Sequence, residues 1–180
     1  MVKKSKIYQM TIIGVMAAVI CILGPLSIPI GVVPVTFTNL AIYFSLYALG
    51  IKRGTVSYLI YMLIGFIGLP VFSNFSGGPS KLLGPTGGFI IGFIFMAAIS
   101  GYFIDCFFNS RALCFLGMVL GMAVCYAFGT IWLSYQGKLT IGAAVAVGVT
   151  PFILGDLIKI LIAAVLGPQI RKRLMKAGLF

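Results

Sequence analysis

Apolar residues run through this chain in long unbroken stretches, as in 90–99, rather than in stripes or alternations. A half-exposed helix shows an apolar stripe repeating every 3.6 residues, and a transmembrane strand alternates over about ten residues. Unbroken runs instead fit helices that are apolar on every side, which is how a helix sits in lipid. Breaks fall where Pro, Gly and charge gather, and they predict helices at 7–24, 36–51, 54–69, 87–108, 112–134 and 149–168. The segments between them are 25–35, 52–53, 70–86, 109–111 and 135–148. The expected fold class is all-α, an integral membrane bundle of six transmembrane helices in which residues 1–180 form a single domain. The first apolar run follows a basic stretch, as in a signal peptide, but no small-residue cleavage site follows it, so it reads as a retained helix.

Composition strengthens this reading. Hydrophobic residues make up 61% of the 180 and charged residues only 8%, against about 25% in a soluble domain. There are too few polar side chains to coat a water-soluble core.

The net charge of +11 does not point to nucleic acid, because its distribution follows the predicted helices. Lys3, Lys4 and Lys6 precede the first helix, Lys52 and Arg53 join the second and third, and Arg111 joins the fourth and fifth. Arg171, Lys172, Arg173 and Lys176 follow the sixth. Those ten lie on one side, against Lys81 and Lys138 on the other, with Lys159 inside helix six. The positive-inside rule then places the N- and C-termini in the cytoplasm. Two long loops, 27–35 and 70–86, face outward.

Candidate chemistry is sparse. The chain has no His and only two acidic residues, Asp105 and Asp156. Its four cysteines form no CxxC, so neither a metal nor a cofactor is expected. The phosphate-binding pattern GxxxxGK[ST] does not occur, so the chain has no means of hydrolysing ATP. Asp105 reads as a structural or interfacial group near the inner end of helix four, within reach of the water interface or Arg111. Asp156 and Lys159 differ: residues at i and i+3 share a helix face, so both charges point into the bundle. They form either a self-neutralising structural pair or a polar site for a small solute carrying both donors and acceptors. Gly87, Gly88 and Gly92 let backbones approach closely, and Thr86 stands where it would cap the helix beginning there. Gly14 and Ala18 form a small-xxx-small strip in helix one, suited to close contact within the bundle or with a partner.

Three stretches, IPIGVVPVTFTNLA, GFIGLPVFSNFSGGPSKLLGPTGGFIIGF and PFILGDLIK, together resemble the BioY family. Its members are the biotin-binding S components, the substrate-specific subunits, of energy-coupling factor (ECF) vitamin transporters. The resemblance spans nearly the whole chain and implies a non-enzymatic, multi-pass subunit of a prokaryotic plasma membrane. Such a subunit captures biotin from outside and delivers it through a transmembrane T subunit and two cytoplasmic ATPase subunits. Carried over residue by residue, it assigns Asp156 and Lys159, in the family's GDxxK, to the polar groups of biotin. It adds Asn74, Thr36 and Thr86 as further substrate contacts, and gives Gly14 and Ala18 the docking of the T subunit. Three positions depart from the family pattern: Thr38 stands for a usual glutamine, Phe89 for tyrosine and Leu154 for proline. The same framework would suit an S component for another small vitamin, and a proton-coupled secondary transporter using Asp156 is a further alternative.

Overall fold

The computed structural model of the chain describes residues 6–28 and 33–178. Lys3, Lys4 and residues 29–32 of the first long loop lie outside the described residues. The elements follow as α1 (Lys6–Leu23), β1 (Ser27–Ile28), β2 (Val35–Thr36), α2 (Thr38–Ile67), a 3-10 turn (Ser73–Phe75) and α3 (Pro79–Leu83). They continue with α4 (Gly87–Cys106), α5 (Arg111–Gly137), α6 (Ile141–Gly148) and α7 (Ile153–Lys176). Four of these helices, α1, α4, α5 and α7, are long and apolar enough to cross a membrane. The all-α expectation holds but for the two-residue strands, which pair antiparallel as Ser27 with Thr36 and Ile28 with Val35.

The helices expected at 36–51 and 54–69 are the two arms of α2. They meet at Gly50, whose φ of 79° and ψ of 174° interrupt the helix in a conformation that glycine adopts readily. The charged pair Lys52–Arg53 suggests a turn a little later than the backbone makes it. Helix α7 starts later than expected, because turns occupy 149–152 around Pro151. It then continues through Pro168 to Lys176. Proline removes one i→i−4 bond but does not end the helix, because residues on its far side are buried: Arg171 is only 7% exposed. The segment 135–148 was expected to be a connection, yet it contains α6, whose first turn is capped by the Thr140 hydroxyl accepting from Ala143 N–H at 3.3 Å.

Helices α4 and α5 form the closest seam. A Cβ on Gly88 would lie 2.2 Å from the Cβ of Trp132, and one on Gly92 would lie 3.1 Å from the Cys125 backbone. Larger residues there would force the two helices apart. Tyr43, Tyr47, Leu46 and Ile42 from the first arm of α2 fill the core between this pair and α7.

Asp105 ties three elements together at one end of the bundle. Its Oδ2 accepts from Ile51 N–H at 2.8 Å, which caps the second arm of α2 just after the Gly50 joint. Its Oδ1 accepts from Arg171 Nη1 at 2.7 Å, and that guanidinium also lies 4.9 Å from the Phe108 ring centroid. The partner is therefore Arg171, neither the water interface nor Arg111, because α7 continues beyond Pro168 and carries Arg171 to this corner. Removing the carboxylate leaves a buried guanidinium without its anion. Asp105→Ala should therefore lower stability by about 3 kcal/mol, seen as an earlier midpoint in denaturant unfolding in micelles, whereas Arg111→Ala should leave the midpoint nearly unchanged.

Candidate substrate-binding site

The site is built around the first turns of α7. Asp156 N–H donates to Phe152 O at 2.8 Å, so Asp156 enters the helix in its first turn, where the helix dipole favours a carboxylate. One turn later Lys159 Nζ reaches Asp156 Oδ1 at 2.9 Å. The two side chains are 8% and 9% exposed, so the pair is largely removed from solvent.

Three other elements complete the pair's hydrogen bonds. Asn39, in the first turn of α2, donates from Nδ2 to Asp156 Oδ1 at 2.9 Å. Tyr126, on α5, donates its hydroxyl to Asp156 Oδ2 at 2.5 Å. Lys159 Nζ donates to Thr36 O on β2 at 2.6 Å. Asp156 thus accepts from three donors, and Lys159 has two of its three N–H directions placed.

This cluster lies on the wall of a cavity whose empty space, its open mouth included, is about 640 Å3. Elsewhere the wall carries the aromatic side chains Tyr58, Tyr61, Phe72, Phe89, Phe93 and Phe152. Tyr61 and Phe72 meet edge to face at 5.6 Å, and the Tyr58 hydroxyl donates to Ile90 O at 2.6 Å, which fixes that ring. An apolar ring system therefore finds flat walls, and a polar group finds one corner with both an acceptor and a donor.

The expected contacts are placed unevenly. Asp156, Lys159, Thr36 and Thr86 all line the cavity, whereas Asn74 does not. Asn74 has a left-handed backbone with φ of 58° and uses Oδ1 to accept from Ser27 Oγ at 2.7 Å, joining the two long loops. Its neighbour Ser73 faces the cavity instead. Thr86 sits at the N-cap of α4, but its side chain makes no capping bond. Asn39 and Tyr126 are the partners of the ion pair that sequence reasoning missed. Asn39, a polar residue opening an apolar helix and 2% exposed, carried a legible signal; Tyr126, one aromatic among many in an apolar run, carried none. Of the departures from the family pattern, Thr38 and Phe89 line the cavity and Leu154 is 72% exposed.

Gly14 and Ala18 lie on the exposed face of α1, whose buried residues are Ala17 and Ile20. A Cβ added at Gly14 would meet nothing within 4 Å, so the strip makes no close contact inside the described part of the chain. Among the described residues no group of three or more His, Cys, Asp or Glu side chains gathers to hold a metal ion.

Comparison with known proteins places the chain in a family. A model of the BioY family matches residues 1–176. The biotin transporter BioY2 of Lactococcus lactis is 33% identical over 165 residues, covering 92% of this chain and 91% of that protein. The biotin transporter BioY of Thermotoga maritima is 38% identical over 159 residues, covering 88% and 93%. Among solved structures, the S component for biotin from an ECF-type ABC transporter superposes with a TM-score of 0.86 at 32% identity, covering 96% of this chain and 95% of that one. The chain belongs to the BioY family.

Proposed function

We propose that this chain captures biotin in the aromatic cavity and passes it to an ATP-driven energy-coupling module. The observation carrying this reading is the Asp156–Lys159 pair set into the cavity wall. Biotin's ureido group offers two N–H donors and one carbonyl acceptor. Asp156, with three of its about four lone-pair sites already filled, can accept from one of the donors, and the remaining N–H of Lys159 can serve the acceptor. The bicyclic ring would pack against the tyrosine and phenylalanine walls. Relatives named as biotin transporters and the matched S component for biotin support the choice of ligand.

In this reading the two arms of α2 count as two spans, which with α1, α4, α5 and α7 make six. The basic residues at the Gly50 joint, the start of α5 and the end of α7 then face the cytoplasm of a prokaryotic cell, with both termini. Residues 38–49 rise about 18 Å from that joint, so Asn39 and the pair it touches sit in the outer half of the membrane. Asp105 and Asp156 lie near opposite ends of the bundle, too far apart to share a proton as an aspartyl protease requires. Release inward would need a T subunit and two ATPases, with the Gly14–Ala18 strip as the docking face. Its small residues lie open on the surface, as close helix contact in lipid demands.

Calorimetric titration of biotin into the detergent-purified chain, with riboflavin and thiamine as controls, tests the ligand: selective biotin binding is expected, and no binding by a folded sample rejects the reading. Asp156→Ala, which leaves Lys159 and one of the ligand's donors unpaired, should weaken biotin binding at least about 100-fold while the protein stays monodisperse in gel filtration. Gly14→Trp should bind biotin as the wild type does yet abolish uptake in cells carrying the coupling module; normal uptake would remove α1 from the interface.

A further inference from the structure

Helix α5 turns one stripe of side chains toward the cavity, and the stripe has a gap. Met122 and Tyr126, four residues apart, both line the cavity. The next position on that face, three residues further, is Gly129, which is buried and has no side chain to present. Alanine would serve a helix interior better than glycine, so what this position supplies is space.

The space is filled from the neighbouring helix. Phe89, in the first turn of α4, sends its ring into the gap, so that a Cβ on Gly129 would fall on the ring's Cγ, Cδ1 and Cε1 atoms. A second buried glycine meets the ring's tip. A Cβ on Gly148, at the end of α6, would come 3.1 Å from Phe89 Cζ and 3.0 Å from Leu133 Cδ2. Cys125 Sγ donates to Phe89 O at 3.5 Å, which ties the first turn of α4 to α5 at this level. Phe89 and Gly148 both line the cavity. With α5 behind the ring and α6 at its tip, a side chain at position 129 would drive this wall into the cavity.

We propose that Gly129 and Gly148 are positioning residues for specificity: they form a slot that holds the Phe89 ring back, and the depth of the slot sets how wide a ring system the cavity admits. This rests on the biotin reading of the cavity. In that reading Asp156 receives the ureido head, and Tyr126 donates to Asp156. Gly129 stands about 4.5 Å further along α5 than Tyr126. The recessed wall therefore lies beside the part of the ligand next to its head, which in biotin is the second, sulfur-containing ring.

Titration of biotin and of desthiobiotin, which keeps the ureido ring and the acid chain but lacks the second ring, into the full-length detergent-purified protein tests the slot. Gly129→Ala should weaken biotin binding by about 10–100-fold and desthiobiotin binding by much less. Gly148→Ala should shift the ratio of the two affinities the same way by a smaller amount, and it carries the test alone if Gly129→Ala does not fold. Adding Phe89→Leu to either variant should restore the wild-type ratio, because the smaller side chain no longer needs the slot. Gly142→Ala, on α6 with nothing within 4 Å of the added Cβ, should change neither affinity. A wild-type ratio in the folded glycine variants overturns the inference and leaves the biotin reading standing. Equal loss of both ligands, or a selective loss that Phe89→Leu leaves in place, also overturns it, by showing that the glycines serve only the packing of the helices. Failure of folded wild type to bind either ligand rejects the biotin reading itself.

Discussion

Two opposite charges sit inside a bundle whose surroundings are lipid, and the architecture around the cavity follows from that. An isolated charge at the bilayer centre costs about 2.5–3.5 kcal/mol on insertion scales. Asp156 and Lys159 are three residues apart on one helix, so each is supplied with its counter-charge before any tertiary contact forms. The fold then adds what the helix cannot. Asn39 from α2, Tyr126 from α5 and the Thr36 carbonyl from β2 converge on the pair and complete its polar contacts. Because the pair is neutral as a whole, a neutral head group can join it without creating an unmatched charge.

The other end of the bundle applies the same rule to a different purpose. Asp105 and Arg171 neutralise each other where α4, α7 and the Gly50 joint meet, and the carboxylate also caps the second arm of α2. The Phe108 ring centroid lies 4.9 Å from the guanidinium there. One ion pair shapes a binding corner and the other fastens helices. Helix α7 contributes to both, with Asp156 and Arg171 about 22 Å apart along its axis.

Much of this was legible in the chain itself. Continuous apolar runs gave the helices, and the i, i+3 spacing of Asp156 and Lys159 announced the pair, because both signals are local. The second partners were not local. Arg171 reaches Asp105 only because α7 passes through Pro168, and a proline in sequence reads as an ending. Tyr126 reaches Asp156 across 30 residues, and nothing in its own neighbourhood distinguishes it from other aromatics. Asn74, a polar loop residue in a recognisable motif, bonds Ser27 of the other long loop and is not among the residues lining the cavity, a tie across 47 residues that no local signal announces. The short helix α6 was hidden for a simpler reason, since a run of small apolar residues has no periodic face to betray it.

Helix α1 stands apart energetically. Only Ala17 and Ile20 are buried along its described length, and a backbone carbonyl, Ile13 O accepting from Ser57 Oγ at 3.1 Å, ties it to the bundle. Most of its surface is therefore solvated by acyl chains. In lipid there is no hydrophobic gain from covering such a surface, because the displaced chains are as apolar as the side chains they leave. Association along α1 is an exchange of one apolar neighbour for another, governed by how well small residues pack compared with how well the lipid does. The thickness and fluidity of the bilayer would thus be terms in any assembly along α1, and a partner docked there would be held with different strength in different membranes.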